Sequence, residues 1–251
     1  MNAFIYHPLI NVLLFITIIG EFAVPRILKC FYKEYNSKTM VMSVLGSPES
    51  PVRKIYNAWL IWLGSFLLLI SYFLFIEINT ISSALAILTL ISVAVFAIGA
   101  GILSGAFSVN ESKEKITVAS KIHGMGAAIG FMSLLFFPLL RSLLAFKTND
   151  VIQGVICALS FALAILFFVF FILGDKEHLK ETVFSYEGLW ERMCLFFMYV
   201  PFLYDAIINL LSIESYIQPN AAPTVFLSEF YFYKNPSFEN LLFLSKIFKN
   251  S

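Results

Sequence analysis

A histidine near a predicted helix end, with hydroxyl groups close by in the chain, is the part of this sequence best suited to chemistry. His123 follows Ser120 by three residues, and Ser104 and Ser108 precede it. A histidine that takes the proton of a serine hydroxyl would create the nucleophile of a membrane hydrolase or acyltransferase. The chain contains neither G-x-S-x-G nor H-E-x-x-H, so no known catalytic motif supports that chemistry. A hydrogen-bonding role for His123, structural or toward a ligand, is the simpler interpretation.

A wider set of polar residues lies where apolar segments begin or end. It consists of Glu21, Ser43, Asn57, His123, Glu191 and Arg192. All six map to the same end of the predicted helices, which indicates a polar, loop-capped pocket between helices. In such a pocket we expect Arg192 to engage an anionic group and His123 to hydrogen-bond the ligand or exchange a proton with it. The carboxyl and amide groups would orient these two side chains.

Metal, haem, disulfide and nucleic-acid chemistry are not indicated. The other two histidines, His7 and His178, are far from His123 in the predicted layout, so no paired imidazoles are available for haem. The three cysteines are widely spaced and form no C-x-x-C pair: Cys30, Cys157 and Cys194. We therefore expect no metal and no cofactor. A formal net charge of +1, with scattered Lys and Arg, argues against a nucleic-acid partner.

The elements that must position these residues are long apolar segments. Hydrophobic residues make up 59% of the 251-residue chain and charged residues 13%, and the mean hydropathy is +0.84. About 20 apolar residues suffice for a helix to cross a bilayer. Six such helices are predicted, at residues 8–30, 55–78, 80–107, 120–144, 151–174 and 188–211. The sequence thus predicts an all-α, polytopic membrane protein.

The chain divides into a membrane part and a tail. Residues 1–212 are expected to form the six-helix transmembrane domain, and residues 213–251 an aromatic-rich C-terminal tail. Within the tail, residues 237–248 place Phe and Leu side chains on one side and charged residues elsewhere, which predicts an amphipathic helix. Such a segment is expected to lie on the membrane surface, not to cross it.

The distribution of basic residues predicts the orientation. Twelve of the 17 Lys and Arg residues follow the first, third and fifth spans: Arg26, Lys29, Lys33, Lys38, Arg53, Lys54, Lys113, Lys115, Lys121, Lys176, Lys180 and Arg192. The positive-inside tendency places these loops in the cytoplasm. Lysine also outnumbers arginine thirteen to four, which is typical of an AT-rich prokaryote. A prokaryotic inner or plasma membrane is therefore expected.

Two small-residue motifs predict close helix packing. The third span ends in Gly101-Ile-Leu-Ser-Gly105, and the fourth begins with Gly126-Ala-Ala-Ile-Gly130. Because each G-x-x-x-G places two glycines on one helix face, backbones can approach closely there. We expect the third and fourth spans to form a tight hairpin through these motifs. Homodimerisation through the same faces is the alternative.

Charged residues inside apolar spans are costly and therefore informative. Glu21 lies in the first span, Arg141 in the fourth and Asp205 in the sixth. Glu21 is expected in the same polar layer as the candidate pocket. Arg141 and Asp205 lie toward the opposite face, where an ion pair between the fourth and sixth spans is the simplest prediction; either side chain reaching to the interface is the alternative.

The order of these motifs resembles a bacterial and archaeal six-helix membrane family catalogued as domain of unknown function 998, over about residues 8–211. The resemblance rests on S-x-L-G at 43–46, Asn57 in the second span, His123-Gly124 at the fourth, and G-x-x-E-R at 188–192. After the third span, Ala106-Phe107-Ser108 stands where relatives often carry Phe-Pro after the glycine. The resemblance implies a six-helix bundle. More distantly, the layout is similar to a eukaryotic six-helix family that includes a lipid-remodelling factor of GPI-anchor maturation.

Three functions fit these observations. The first is a non-catalytic protein that binds a lipid head group or another amphiphile in the one-sided polar pocket, with membrane lipids as its partners. The second is the hydrolase or acyltransferase that would use His123. The third is a partner subunit of another membrane protein or a small transporter, although few intramembrane charges line a path and no inverted repeat is evident.

Overall fold

Six helices cross from end to end of the molecule. A computed structural model of the chain describes residues 7–109, 117–174 and 176–217. Its long helices are α1 (Pro8–Phe31), α2 (Arg53–Asn79), α3 (Ser83–Ala106), α4 (Val118–Lys147), α5 (Val151–Gly174) and α6 (Glu187–Ile217). All six are long and apolar enough to span a membrane, and the described residues contain no strand. The predicted all-α, six-span membrane fold is confirmed.

The first and fourth helices begin where the sequence supplies a cap. Pro8 occupies the first position of α1, where its missing N–H costs nothing, and His7 Nδ1 accepts from the backbone N–H of Leu9 at 3.3 Å. Thr117 and Ser120 form a reciprocal capping box at the start of α4. Short 3-10 turns occupy Met42–Gly46, Glu177–Leu179 and Val183–Ser185, and the last turn of α1 is also 3-10.

Two of the spans are irregular in ways that the hydropathy pattern does not reveal. The end of α3 widens into a π-helical segment at Ala97–Leu103 before one further turn to Ala106. In α4 the regular helix is interrupted at Phe136, and Pro138 lies in the first turn of the part that follows. Since proline lacks an N–H, it belongs in such a first turn, not within a continuous helix. Both irregularities change which residues face the neighbouring helices.

The glycine contacts between helices differ from the predicted arrangement. Gly101 does not face α4: a Cβ there would lie 2.5 Å from Gly64 Cα in α2, and a Cβ at Gly105 would lie 2.7 Å from the Asn57 carbonyl oxygen. The close approach of α3 and α4 instead joins Gly99 to Gly126, where a Cβ on Gly126 would lie 2.9 Å from the Gly99 carbonyl oxygen.

The predicted hairpin of α3 and α4 therefore exists with a different glycine on α3. Gly130 also lies in this contact, since its Cβ would be 3.0 Å from Ala100 N. The π-helical segment explains the difference, because its extra residue per turn rotates Gly101 and Gly105 toward α2.

The connection from α1 to α2 is folded against one end of the bundle. Met42, Leu45, Ser47 and Val52 in this connection are buried, so it belongs to the core and is not a surface loop. Elsewhere the exterior is apolar, as expected where lipid replaces water. The amphipathic residues 237–248 and the loop 110–116 lie outside the described residues, and α6 continues as a helix to Ile217.

Candidate functional site

The first turns of α6 hold the connection between α1 and α2 in place. We call residues 35–47 of that connection the clasped loop. Arg192 Nη1 donates to the Ser37 carbonyl at 2.9 Å and also to the Gly188 carbonyl, while Arg192 Nη2 donates to the Tyr35 hydroxyl. The Tyr35 hydroxyl in turn lies 3.3 Å from the Val41 carbonyl. One guanidinium thus ties the loop to α6.

Glu191 adds a second attachment beside the first. Its Oε2 accepts from the backbone N–H of Met42 at 2.6 Å, and the residue is 6% exposed. The backbone N–H of Leu189 donates to the Lys38 carbonyl at 3.0 Å. At Gly188 any side chain would collide with Met40, because its Cβ would lie 2.7 Å from the Met40 carbonyl carbon. Gly188, Glu191 and Arg192 of the G-x-x-E-R sequence therefore each contact the clasped loop and anchor it to α6.

Beneath the clasped loop lies Asn57 on the first turns of α2. A Cβ on Gly46 would collide with the Asn57 side-chain amide, so only glycine allows this approach. Asn57 Nδ2 donates to Ser108 Oγ at 3.2 Å, and Arg53 Nε donates to the same oxygen at 3.0 Å. Within the described residues, Asn57 Oδ1 and the fully buried Ser47 Oγ have no hydrogen-bond partner.

Glu21 brings a carboxyl group to this region from α1. It is 3% exposed, and its Oε2 accepts from the indole N–H of Trp59 at 2.8 Å. Glu191 and Arg192 lie within electrostatic range of Glu21. Tyr199 on α6 is also within that range, and its fully buried hydroxyl has no partner among the described residues.

These groups all lie toward the capped end of the bundle. We call this set of residues the capped polar layer and define it by Glu21, Ser47, Asn57, Glu191 and Tyr199. Tyr56, one residue before Asn57, connects its parts, since its ring lies beside Gly46 and its hydroxyl is within electrostatic range of Glu21 and Glu191. The layer combines two carboxyl groups with three polar atoms that have no hydrogen-bond partner among the described residues.

His123 lies at the border of this region and caps the end of α3. It is 4% exposed, and its Nδ1 is 2.8 Å from the Phe107 carbonyl and 3.2 Å from the Ser104 carbonyl. Carbonyl oxygens only accept, so Nδ1 carries the proton in this arrangement. The last carbonyls of a helix have no partner within the helix, and His123 satisfies two of them from the neighbouring helix.

The serines considered as nucleophiles make other contacts. Ser104 Oγ donates to the Gly99 carbonyl at 3.0 Å, and Ser108 Oγ accepts from Arg53 and Asn57. Ser120 belongs to the capping box of α4. In the described contacts, none of the three pairs with the imidazole of His123, so the geometry gives no support to nucleophilic catalysis.

A separate ion pair connects α4 and α6 at the opposite end of the bundle. Arg141 Nη2 lies 2.6 Å from Asp205 Oδ2, and Gln153 at the start of α5 donates to Asp205 Oδ1 at 2.8 Å. The predicted pair is confirmed. It does not touch the capped polar layer.

No metal site was found in the described residues. They contain no group of three or more His, Cys, Asp or Glu side chains able to hold a metal ion. Cys30 is exposed, whereas Cys157 and Cys194 are buried as thiols. The Cys194 thiol lies 3.5 Å from the Ala164 carbonyl, a packing contact between α6 and α5.

Sequence reasoning missed several residues of the layer. Ser43 was predicted, yet it lies half-buried in the 3-10 turn, and the buried serine with an unsatisfied hydroxyl is Ser47. Tyr199 in the layer and Tyr35 in the clasped loop were not predicted either, because aromatic residues are common throughout this chain. Spacing offered one usable signal: Trp59 follows Asn57 by two residues in α2, so both residues lie at the same end of the bundle, on different faces of the helix.

Comparison with known proteins gives a family and no characterised relative. A family model described as "Protein of unknown function (DUF998)" matches residues 16–204. The matched range contains the clasped loop, His123 and the whole capped polar layer. No curated protein and no solved structure matches the chain.

Proposed function

The chain belongs to the DUF998 family, and we propose that it binds the head group of a lipid or another amphiphile in the capped polar layer. The observation that carries this proposal is the set of buried polar atoms without a partner in the described residues: Ser47 Oγ, Asn57 Oδ1 and Tyr199 Oη. Each such atom costs about 1–3 kcal/mol when left unsatisfied. A bound polar group would remove that cost.

The surroundings of the layer suit an amphiphile better than a fully polar ligand. α1 packs mainly on α6 and only lightly on α2. The hydrogen bond between Glu21 and Trp59 bridges the weakly packed seam of α1 and α2. Ile19 on α1 and Ile55 on α2 are exposed on the apolar exterior. A lipid could therefore enter sideways and keep its chains in the bilayer.

The structure favours roles for the motif residues that differ from those expected from sequence. Arg192 was expected to engage an anionic group, yet its guanidinium donates to loop carbonyls and to Tyr35. Glu191 binds the backbone of Met42. In the proposal these two residues hold the loop that closes the layer. Asn57 and Glu21 supply the atoms that meet the ligand, and His123 fixes the end of α3 beside them.

Orientation is part of the proposal. The connections after α1, α3 and α5, together with the helix ends beside them, carry twelve of the 17 Lys and Arg residues, which supports placing the capped end at the cytoplasmic face of a prokaryotic inner or plasma membrane. The ligand would then come from the inner leaflet. Partnership with another membrane protein or with a second copy would use the outer faces of the helices and is compatible with this site.

Native mass spectrometry of the protein, extracted with its surrounding lipid, tests the proposal. We expect a defined amphiphile to stay bound to the wild type and to be lost from Ser47→Ala. Ser71→Ala is the matched control, because Ser71 is equally buried in α2 but its hydroxyl donates to the Leu68 carbonyl at 2.7 Å. Bulk membrane lipid alone, in equal amounts in all three proteins, would contradict amphiphile binding.

A further inference from the structure

The capped polar layer offers acceptors, while the N–H donors around it are already used, and this imbalance identifies the kind of head group that fits. We infer that the bound group carries a primary amine, as an ammonium donor, at a position facing Glu21. This inference rests on the proposed function and specifies its ligand class. It specifies the charge of the head group and the direction of its hydrogen bonds, both of which the proposal of an amphiphile leaves open.

The donors of the region are committed to protein acceptors. Arg192 donates to the carbonyls of Ser37 and Gly188 and to Tyr35. The Trp59 indole donates to Glu21, and Asn57 Nδ2 donates to Ser108. A phosphate or carboxylate entering the layer would find these N–H groups occupied.

The acceptors of the region are in excess. Asn57 Oδ1 is an amide oxygen, which can only accept, and it has no partner in the described part of the chain. Glu21 receives one hydrogen bond from Trp59, whereas a carboxylate offers about four acceptor positions. The hydroxyls of Ser47 and Tyr199 can accept as well as donate. A group with three N–H donors matches this arrangement.

Charge points to the same class of ligand. Among the described residues, the carboxyl group of Glu21 lies within electrostatic range of Glu191 and of one guanidinium, that of Arg192. An anionic head group would bring a negative charge into a buried region whose N–H donors are occupied, and an unpaired buried charge is costly. An ammonium group would pair with Glu21 and form charge-assisted hydrogen bonds.

An amine could come from a lipid head group or from a soluble molecule, and the experiment separates the two. The full-length protein is purified in detergent and titrated, in separate arms, with dodecylamine, dodecanol, dodecyl phosphate and ethanolamine. Thermal unfolding and native mass spectrometry report binding. We expect dodecylamine to bind at least tenfold more tightly than dodecanol or dodecyl phosphate, and ethanolamine to bind more weakly than dodecylamine because it lacks the chain.

Two variants connect the binding to the layer. Glu21→Gln keeps the acceptor for Trp59 but removes the negative charge, so dodecylamine affinity should fall about tenfold or more, as for loss of a charge-assisted hydrogen bond. Tyr199→Phe removes a buried hydroxyl without a partner, so it should raise the unfolding temperature of the ligand-free protein and weaken amine binding. If Tyr199 had only a structural role, Tyr199→Phe would not raise the unfolding temperature and weaken amine binding at the same time.

The possible outcomes separate the inference from the proposed function. Tight binding of dodecyl phosphate or dodecanol in preference to dodecylamine, lost in Ser47→Ala, would overturn the amine inference and leave amphiphile binding intact. Equal binding of ethanolamine and dodecylamine would support the amine and contradict the amphiphile. Binding of dodecylamine that is unchanged in Glu21→Gln and Tyr199→Phe would overturn the inference, because the amine would then bind elsewhere.

Discussion

Arg141 and Asp205 join the fourth and sixth helices through a single guanidinium nitrogen, with Arg141 Nη2 2.7 Å from Oδ1 and 2.6 Å from Oδ2 of Asp205. Arg141 is 4% exposed, and its Nε has no partner in the described structure. The pair therefore fixes the register of the two helices at the end of the bundle opposite the clasped loop. Arg141 and Asp205 are also the two charged residues for which the sequence predicts an ion pair between spans.

Breaking this pair from one side should destabilise the protein more than replacing both residues. Asp205→Leu alone leaves a buried guanidinium without its carboxylate and should cost about 3–5 kcal/mol. The double variant Arg141→Met with Asp205→Leu should recover part of that loss, because two apolar side chains need no partner. Reversible unfolding in detergent micelles gives the free energy of unfolding of the wild type, of the two single variants and of the double variant. Strict additivity of the two substitutions would show that the ion pair carries no coupling energy.

The His123 cap predicts which substitution is tolerated. Asparagine places a donor N–H on Cγ, where histidine has Nδ1, so His123→Asn can still donate to the Phe107 and Ser104 carbonyls. His123→Ala cannot, and should cost about 1–3 kcal/mol by leaving buried carbonyls unsatisfied. Thermal unfolding and hydrogen exchange at residues 104–109 provide the measurement.

The same pair of variants distinguishes capping from proton transfer. If His123 acts through Nε2 on a ligand, His123→Asn should fold normally yet lose ligand-dependent stabilisation. Preserved stabilisation by the bound amphiphile in His123→Asn agrees with a cap. An alanine variant as stable as the wild type would contradict the capping role.

Apolar span lengths in the sequence were sufficient to predict the fold, because a helix of about 20 apolar residues satisfies its own backbone hydrogen bonds within a bilayer. The sequence also indicated which end of the bundle holds the polar residues, since Asn57, His123 and Glu191 stand at span ends. It could not indicate how the loop folds onto that end. The contacts of Arg192 with Ser37 and Tyr35 join residues more than 150 positions apart, and no local pattern encodes such pairing.

Arginine at 192 should not be replaceable by lysine. Its two terminal nitrogens reach Ser37, Gly188 and Tyr35 together, whereas a lysine ammonium is a single point of donation. We expect Arg192→Lys and Arg192→Ala to increase hydrogen exchange of residues 35–47 by about tenfold or more, as for loss of one charge-assisted contact.

Lys38→Ala is the control for that measurement. Lys38 lies in the same loop and is exposed, and its described contact with α6 uses its backbone carbonyl. Exchange of residues 35–47 should therefore stay at the wild-type rate in Lys38→Ala. Equal exchange in wild type and Arg192→Ala would mean that the loop is held by other contacts.

The contact that the Tyr35 hydroxyl makes in the clasp should also be insensitive to pH below about pH 10. Burial raises the pKa of the Tyr35 hydroxyl from 10.0 to about 12, although Arg192 acts in the opposite direction. Because the pKa is raised in the folded state, the stability contributed by the protonated hydroxyl is complete below about pH 10 and is lost as the pH rises toward 12. Proteolysis of the loop should accelerate in that window, and less so in Tyr35→Phe. Acceleration already near pH 8 would assign the change to another group.

The prediction that Gly101 and Gly105 pack against α4 was wrong for a reason that the sequence alone does not reveal. Gly101 and Gly105 have the expected spacing, but the π-helical turn at Ala97–Leu103 rotates them toward α2 and presents Gly99 to α4. Motif spacing assumes 3.6 residues per turn, so one widened turn is enough to change the partner.

Two neighbouring glycines of α4 give a matched test of this contact. A Cβ on Gly126 would lie 2.9 Å from the Gly99 carbonyl oxygen, and backbone atoms there have no room to move, whereas a Cβ on Gly124 meets nothing within 4 Å. Gly126→Ala should therefore destabilise by about 1–3 kcal/mol through overpacking. Gly124→Ala should be neutral or should stabilise by up to about 1 kcal/mol through its better helix propensity. The free energy of unfolding of both variants, measured in the same detergent, tests this contact. Equal changes in the two variants would mean that α3 and α4 do not approach through Gly99 and Gly126.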